Sequence, residues 1–233
     1  MLYKIELQQN TATIGNIVAN TLFGAFLTAY STIYTVDKEM IDDIVLSDLF
    51  YNNILPKGVI NNKTIFSKPF ENTQVEMSRT LVARDNESTN VVNNTVGNLN
   101  KNCSFFISTK LLDKNDIVEI AKLMCEFGIG KWRNVGKGQF EFKSIEEYVP
   151  KTNVKSFVCL SNFIPECEIN DYDISSLGYT VRDAYATNGN KQKQTVMILT
   201  GTSFRTFREV VGKHVYDEKS KTYIHGKSIV IGV

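Results

Sequence analysis

The sequence is poor in the residues on which most enzymes and metalloproteins depend. Two histidines occur in 233 residues, His214 and His225, both near the end of the chain. General acid–base cleavage leans on histidine, or on a lysine or tyrosine in its place, and a lone histidine in a strand or turn more often serves structure. The four cysteines (Cys103, Cys125, Cys159, Cys167) lie far apart and form no CxxC pair. That argues against a zinc or disulfide framework and fits a reducing cytoplasm. Cys125 falls in an apolar helical pattern and reads as a small core residue. Charge of one sign is lacking too. The net charge is +1, so no global basic field announces a nucleic-acid partner, although a basic groove is compatible with a neutral total.

A long apolar run is also absent. The stretch from Leu7 to Val36 carries no charge, yet Gln8, Gln9, Asn10, Asn16 and Asn20 interrupt it, so it lacks the continuous span a bilayer requires. No basic segment precedes an apolar core with a small-residue cleavage site, as a signal peptide would need. Neither a membrane nor a cofactor or metal is expected. The uncharged stretch reads instead as a helix buried against a sheet and a neighbouring subunit.

What is present is ordinary globular composition, with 42% hydrophobic and 22% charged residues, enough for a real core. Tyr3, Ile5 and Leu7 alternate with polar residues at the period of a half-buried strand. Val18, Leu22, Ala25, Phe26, Ala29 and Ile33 recur at helical spacing, with Thr13 or Asn16 as candidate caps. Seven asparagines between Asn86 and Asn102 favour turns and predict a mobile hairpin or loop. Cys103, Phe105 and Ile107 mark another strand. Asp113 opens a helix with Ile117, Ile120, Ala121 and Met124 on one face, stopped by Gly128 at the C′ position.

The predicted order is β (2–9), α (16–34), a hairpin within 71–98, β (102–109), α (113–127) and β (138–143). That is an α+β, ferredoxin-like (RRM-like) domain over 1–148 with a large central insertion. Short strands at 154–163, 178–187, 194–200 and 223–232 predict a smaller β-rich second domain over 149–233.

The most informative segment is GIGKWRNVGKG, residues 128–138. It places Gly128, Gly130, Gly136 and Gly138 around Lys131, Trp132, Arg133, Asn134 and Lys137, with no acid between Glu126 and Glu141. Glycines let the backbone approach a phosphate and expose its N–H groups. The three cations supply counter-charge, and Trp132 is suited to stacking on a base. No GK[ST] closes the segment and it opens no helix, so neither a Walker nor a Rossmann turn applies. The residue types alone serve equally well for a solvated connection between helix and strand.

A glycine- and cation-rich loop between the second helix and last strand of a ferredoxin-like domain resembles the signature of the RAMP superfamily of CRISPR proteins. GIGKWRNVGKGQFEF is similar to it, with Lys137 where arginine is usual. NTLFGAF (Asn20 to Phe26), ILPKG (Ile54 to Gly58), MSRTLVARDNESTN (Met77 to Asn90), LTGTSFRTF (Leu199 to Phe207) and HGKSIVIGV (His225 to Val233) resemble, in order, segments of the Cas-five-type fourth subunit of the type III-A Csm effector complex. Asn20 stands where aspartate is usual, and Gly58 where proline is.

The resemblance implies a non-catalytic subunit that binds the 5′ handle of the crRNA and joins a large Cas-ten-type signalling subunit to a backbone RAMP subunit, meeting target RNA only indirectly. It implies that the insertion acts as a thumb carrying Arg79 and Arg84, and that the 128–138 loop holds phosphates. Thr13, Asn20 and Thr21 lie near a helix start, where anions are favoured, and simple capping explains them as well. From Arg182 to Lys227 there are nine Lys/Arg and four Asp/Glu. Ser203, Phe204 and Arg205 follow a glycine turn there as further candidates for phosphate contact.

The rivals are a guide-processing RAMP endoribonuclease, which the two histidines support poorly, and a Cas-five-type subunit of another CRISPR subtype. A target-cleaving backbone subunit would need an acid in its first insertion. Asp37, Asp42 and Asp43 occur there in an ordinary helical run. A plain RRM lacks its RNP1 motif here.

Overall fold

A computed structural model describes residues 1–69, 74–82, 90–131, 133, 136–184 and 191–233, with no side-chain detail at 77–82 and 90–96. The first part of the chain runs β1 (Leu2–Gln9), α1 (Ala19–Tyr30), α2 (Lys38–Asp43), β2 (Val45–Leu46) and β3 (Phe50–Tyr51). Two hairpins follow, β4–β5 (Pro56–Ile60, Lys63–Phe66) and β6–β7 (Gln74–Val82, Asn90–Asn98), then β8 (Asn102–Ser108), α3 (Lys114–Phe127) and β9 (Phe140–Glu147). β1 pairs antiparallel with β8 on one side and β9 on the other, and β2 and β3 both pair with β8. The order is that of a ferredoxin-like sheet whose second strand is broken in two, with both hairpins inserted between its second and third strands.

Alternation builds the first face. Tyr3, Ile5 and Leu7 stand opposite Ile107, Phe105 and Cys103, and all six pack beneath α1 and α3. The α3 helix starts where its sequence indicates. Asp113 accepts from the Asn115 and Asp116 amides at 2.7 and 2.9 Å, while Asp116 accepts from the Asp113 N–H at 3.1 Å, a reciprocal capping box.

The β8 strand is buried on both faces apart from its first residue, which simple alternation does not announce. Its other face is covered by the second half of the chain. There β10 (Phe157–Cys159), β11 (Ile174–Ser176), β14 (Ser203–Phe204), β15 (Val210–Gly212) and β18 (Lys227–Gly232) form an antiparallel sheet in the order β11-β14-β10-β18-β15. Hairpins β12–β13 (Tyr179–Arg182, Thr195–Ile198) and β16–β17 (Val215–Asp217, Thr222–Ile224) lie beside it. Leu2, Val45, Phe50 and Phe106 of the first sheet share one cluster with Val158, Leu160, Ile229 and Ile231.

Several expectations are corrected. The first helix begins at Ala19, not residue 16, and ends at Tyr30. Neither Thr13 nor Asn16 caps it. Asp48, from the break between β2 and β3, accepts the Ala19 N–H at 2.7 Å. Gly128 is the C-cap of α3 itself, with φ 74° and ψ 153°, instead of a left-handed C′ residue. The hairpin expected within 71–98, by contrast, is present as β6–β7, with residues 90–98 of the asparagine-rich segment paired to β6. The last strand of the first sheet runs over 140–147 rather than 138–143. The predicted 223–232 strand is split by His225 and Gly226.

The uncharged Leu7–Val36 stretch is accounted for within the chain. Ala19, Leu22, Phe23, Ala25, Phe26, Ala29 and Tyr30 are buried, and Phe23 lies against both His214 and His225. Among the described residues no helix is long and apolar enough to cross a membrane.

Candidate nucleic-acid interface

The 128–138 loop is closed at its base. Ile129 is fully buried and plugs the core behind the loop. Its N–H donates to the Gly138 carbonyl at 2.8 Å, and the Gly138 N–H donates to Ala12 O at 3.2 Å. Gly130 and Gly138 are required there. Both have positive φ (98° and 63°), and a Cβ at Gly138 would stand 2.1 Å from Ile129 O, one at Gly130 2.9 Å from Ile17 Cδ1. Beyond this closure Lys131 and Arg133 are exposed and Lys137 half-buried. Among the described residues none of the three forms an ion pair with an acid. A glycine-closed loop thus presents cations that no acid among the described residues pairs, the arrangement an incoming phosphate neutralises.

Two further segments converge on the base of that loop. The connection after β1 is tied to it by Thr11, whose hydroxyl accepts the Gln139 N–H at 2.9 Å, and by Asn10, whose N–H donates to Gln139 O at 2.9 Å. The base of the β6–β7 hairpin joins from the other side, where Thr13 and Asn98 exchange backbone hydrogen bonds of 2.9 and 2.8 Å. Gln9 knits these strands together, donating to Asn98 O at 2.8 Å and accepting from the Asn100 N–H at 2.9 Å. Loop, hairpin base and the β1–α1 connection therefore meet on one end of the first sheet.

The structure sorts the predicted residues. Lys131, Arg133, Lys137, Gly128, Gly130, Gly136 and Gly138 share this end. Trp132, Asn134 and Arg84 lie outside the described residues. Arg79 lies on β6 opposite Asn93. Thr13 is fully buried, its hydroxyl within Gln9's reach at 3.4 Å. Asn20 has a structural partner, its Oδ1 accepting the His225 N–H at 3.0 Å. Thr21 is half-buried on the first turn of α1, whose leading amide donates to Asp48. Ser203 and Phe204 are both buried in β14; Phe204 packs with Phe163 and Tyr172. Arg205 is exposed and pairs with Asp173 at 3.4 Å. It sits on the second sheet, apart from the loop.

The remaining titratable candidates are structural in their contacts. His225 accepts the Leu46 N–H at 3.1 Å, and His214 lies 3.0 Å from Ile44 O while accepting the Gly226 N–H at 3.2 Å. Burial holds His214 down at about 4 and His225 well below the usual imidazole range. Asp37 caps α2 through the Met40 N–H, and Asp43 accepts from the Lys110 and Leu111 amides and Thr109. Cys103, Cys125 and Cys159 are buried, which pushes each thiol up to about 12.

Sequence reasoning missed Asp48. Its carboxylate takes the Ala19 N–H and, at 2.8 Å, the Thr200 hydroxyl, and burial pushes it up to about 6. Its only local signal is a charge interrupting the apolar run from Ile44 to Phe50.

The fold defined by this sheet, its two inserted hairpins and the second antiparallel sheet is shared with chains of type III CRISPR-Cas assemblies. Two assemblies carry chains similar to it over its full length. In the Csm3–Csm4 subcomplex of the type III-A CRISPR-Cas interference complex the likeness has a TM-score of 0.64 at 17% identity, covering 100% of this chain and 99% of that one. In the Csm1–Csm4 cassette in complex with cA4 it is 0.57 at 15% identity, covering 100% and 98%. A chain of the type III-B Cmr-beta complex bound to cognate target RNA and AMPPnP is similar at 0.51 and 10% identity, covering 86% and 85%. At these identities the likeness is one of fold. No protein-family model and no curated protein matches the sequence.

Proposed function

We propose that this chain is a non-catalytic RNA-holding subunit of a type III CRISPR effector complex. In this role it binds the 5′ handle of the crRNA and links the large signalling subunit to the backbone subunits. The observation that carries this is the glycine-closed loop with Lys131, Arg133 and Lys137 beyond its closure, on a fold similar end to end to chains of Csm3–Csm4 and Csm1–Csm4 assemblies. The non-catalytic part is supported by the histidines: His225 is buried, His214 half-buried, and desolvation holds both neutral, so neither is poised for proton transfer at a phosphate.

Replacing Lys131, Arg133 and Lys137 together with alanine tests the proposal. Exposed loop cations contribute little to folding, whereas each phosphate they neutralise adds to affinity through counterion release. The triple variant is expected to melt like the wild type and to bind handle RNA more weakly. Its salt dependence should be flatter by roughly 0.7 in slope for each phosphate no longer neutralised. Unchanged affinity and slope would overturn the loop's role. Repeat-containing precursor RNA incubated with the wild-type chain should stay intact; its cleavage would favour the processing ribonuclease instead.

A further inference from the structure

Beside the start of α1 lies a cavity of ≈ 230 Å³ that the loop does not account for. It is small beside pockets for drug-sized ligands, about 300–1,000 Å³, and suits a single planar ring system better than a whole nucleotide. Its walls are largely apolar, with Ile17, Leu49, Phe50, Ile54 and Leu199 among them, and Asp48 and Asn162 stand in its lining. Apolar walls with a few convergent polar groups are what a flat heterocycle needs.

The polar groups form a cluster that is one proton short. The Thr200 hydroxyl lies 2.8 Å from Asp48 Oδ2 and 2.9 Å from Asn162 Oδ1, and it has a single proton for two acceptors. Asn162 Oδ1 also receives the Thr200 N–H at 2.8 Å, and Asp48 Oδ1 the Ala19 N–H at 2.7 Å. Acceptor capacity therefore remains on the carboxylate, while the Asn162 side-chain amide supplies donors. A phosphate would meet repulsion from Asp48. A base edge offering an N–H beside an acceptor would complete the cluster. Desolvation pushes the Asp48 carboxyl up to about 6 although the Ala19 N–H and Thr200 hydroxyl both favour its charged form.

Position links the cavity to the loop. Asn16, Ile17 and Val18 line one side of it; Ile17 also packs against Gly130, and Asn16 accepts from the Asn98 side chain at 3.4 Å at the hairpin base. A strand whose phosphates follow the loop passes this wall.

We propose that the cavity receives one unstacked nucleobase of the RNA held by the glycine loop, with Asp48 and Asn162 hydrogen-bonded to its edge. This rests on the RNA-holding function proposed above. Enclosure of one base is expected to register at one nucleotide of the handle, with an effect on affinity like that of a stacked base.

The experiment uses the full chain and single-stranded RNA of the handle sequence read from RNA that co-purifies with it. One abasic site is walked along that RNA. Wild type should lose about tenfold in affinity at one position, or at two neighbouring ones, and little elsewhere. Val18→Trp then fills the cavity from its exposed rim, at an N-cap position that makes no side-chain bond. It should keep the melting temperature and remove the positional effect. A flat abasic profile, or a profile unchanged by Val18→Trp, overturns the base pocket. If RNA still binds and still responds to the triple loop variant, the loop's role survives that result; if no RNA binds the wild type, both fall.

Discussion

The two histidines and Asp48 stand where the two sheets meet, His225 buried and His214 and Asp48 half-buried, yet they respond to pH in opposite senses. His214 is held at about 4 by burial, against an ordinary 6.5, so the unfolded chain binds more protons between those values. Stability from this group is full above pH 6.5 and is lost as pH falls toward 4. In an NMR titration the His214 ring is expected to protonate near pH 4, and the His225 ring not before acid unfolding. A midpoint near 6.5 for either would contradict the neutral pair. Asp48 runs the other way. Its folded value of about 6 lies above the ordinary 3.8, so the folded chain binds the extra proton and stability declines as pH rises between the two. Asp48→Asn cannot ionise. Compared by denaturant unfolding from about pH 4 to about pH 7, the wild type should lose about 1–3 kcal/mol relative to this variant; a constant difference would refute the shift.

At the scale of elements, what was legible in the sequence is what depends on neighbours along the chain. The β1 alternation, the helix start at Asp113 and the apolar face of α3 all belong to that class, and so does the glycine-rich connection to β9. What was hidden depends on partners distant in sequence. The α1 cap comes from Asp48, and Asn20 reaches His225. Ser203 and Phe204 looked like surface residues because their strand is two residues long, too short to show a period, although the sheet buries it. The loop itself was legible as a cationic segment, but its closure was not. That closure predicts a contrast between two glycines with positive φ. Gly136→Ala meets nothing within 4 Å and should cost only the backbone penalty, about 1–2 kcal/mol. Gly138→Ala adds a collision with the Ile129 carbonyl. It should lower the melting temperature further and loosen the loop, weakening RNA binding as well. Equal melting temperatures for the two variants would count against the Ile129–Gly138 closure.

For the whole molecule, the change of pattern near Pro150 marks a change of sheet, while the core continues across it. Leu2, Val45, Phe50 and Phe106 find their partners in Val158, Leu160, Ile229 and Ile231. The junction is also hydrogen-bonded: the Asp48 N–H donates to Leu160 O at 3.0 Å, the Leu46 N–H to His225, and the Ser161 hydroxyl to Leu46 O at 3.2 Å. Removing residues 149–233 would bare four large apolar side chains. At about 1.5–3 kcal/mol each, that loss is comparable to the roughly 5–15 kcal/mol total stability of a typical domain. It would also leave the Leu46 and Asp48 amides without their acceptors. The 1–148 fragment is therefore expected not to fold alone despite carrying a complete ferredoxin-like strand order, and to regain native structure when co-expressed with 149–233. Near-ultraviolet circular dichroism and a thermal melt of each preparation give the readout. A cooperative melt from isolated 1–148 would show that the second sheet is dispensable to the first, and that the face carrying Phe106 can meet water without loss.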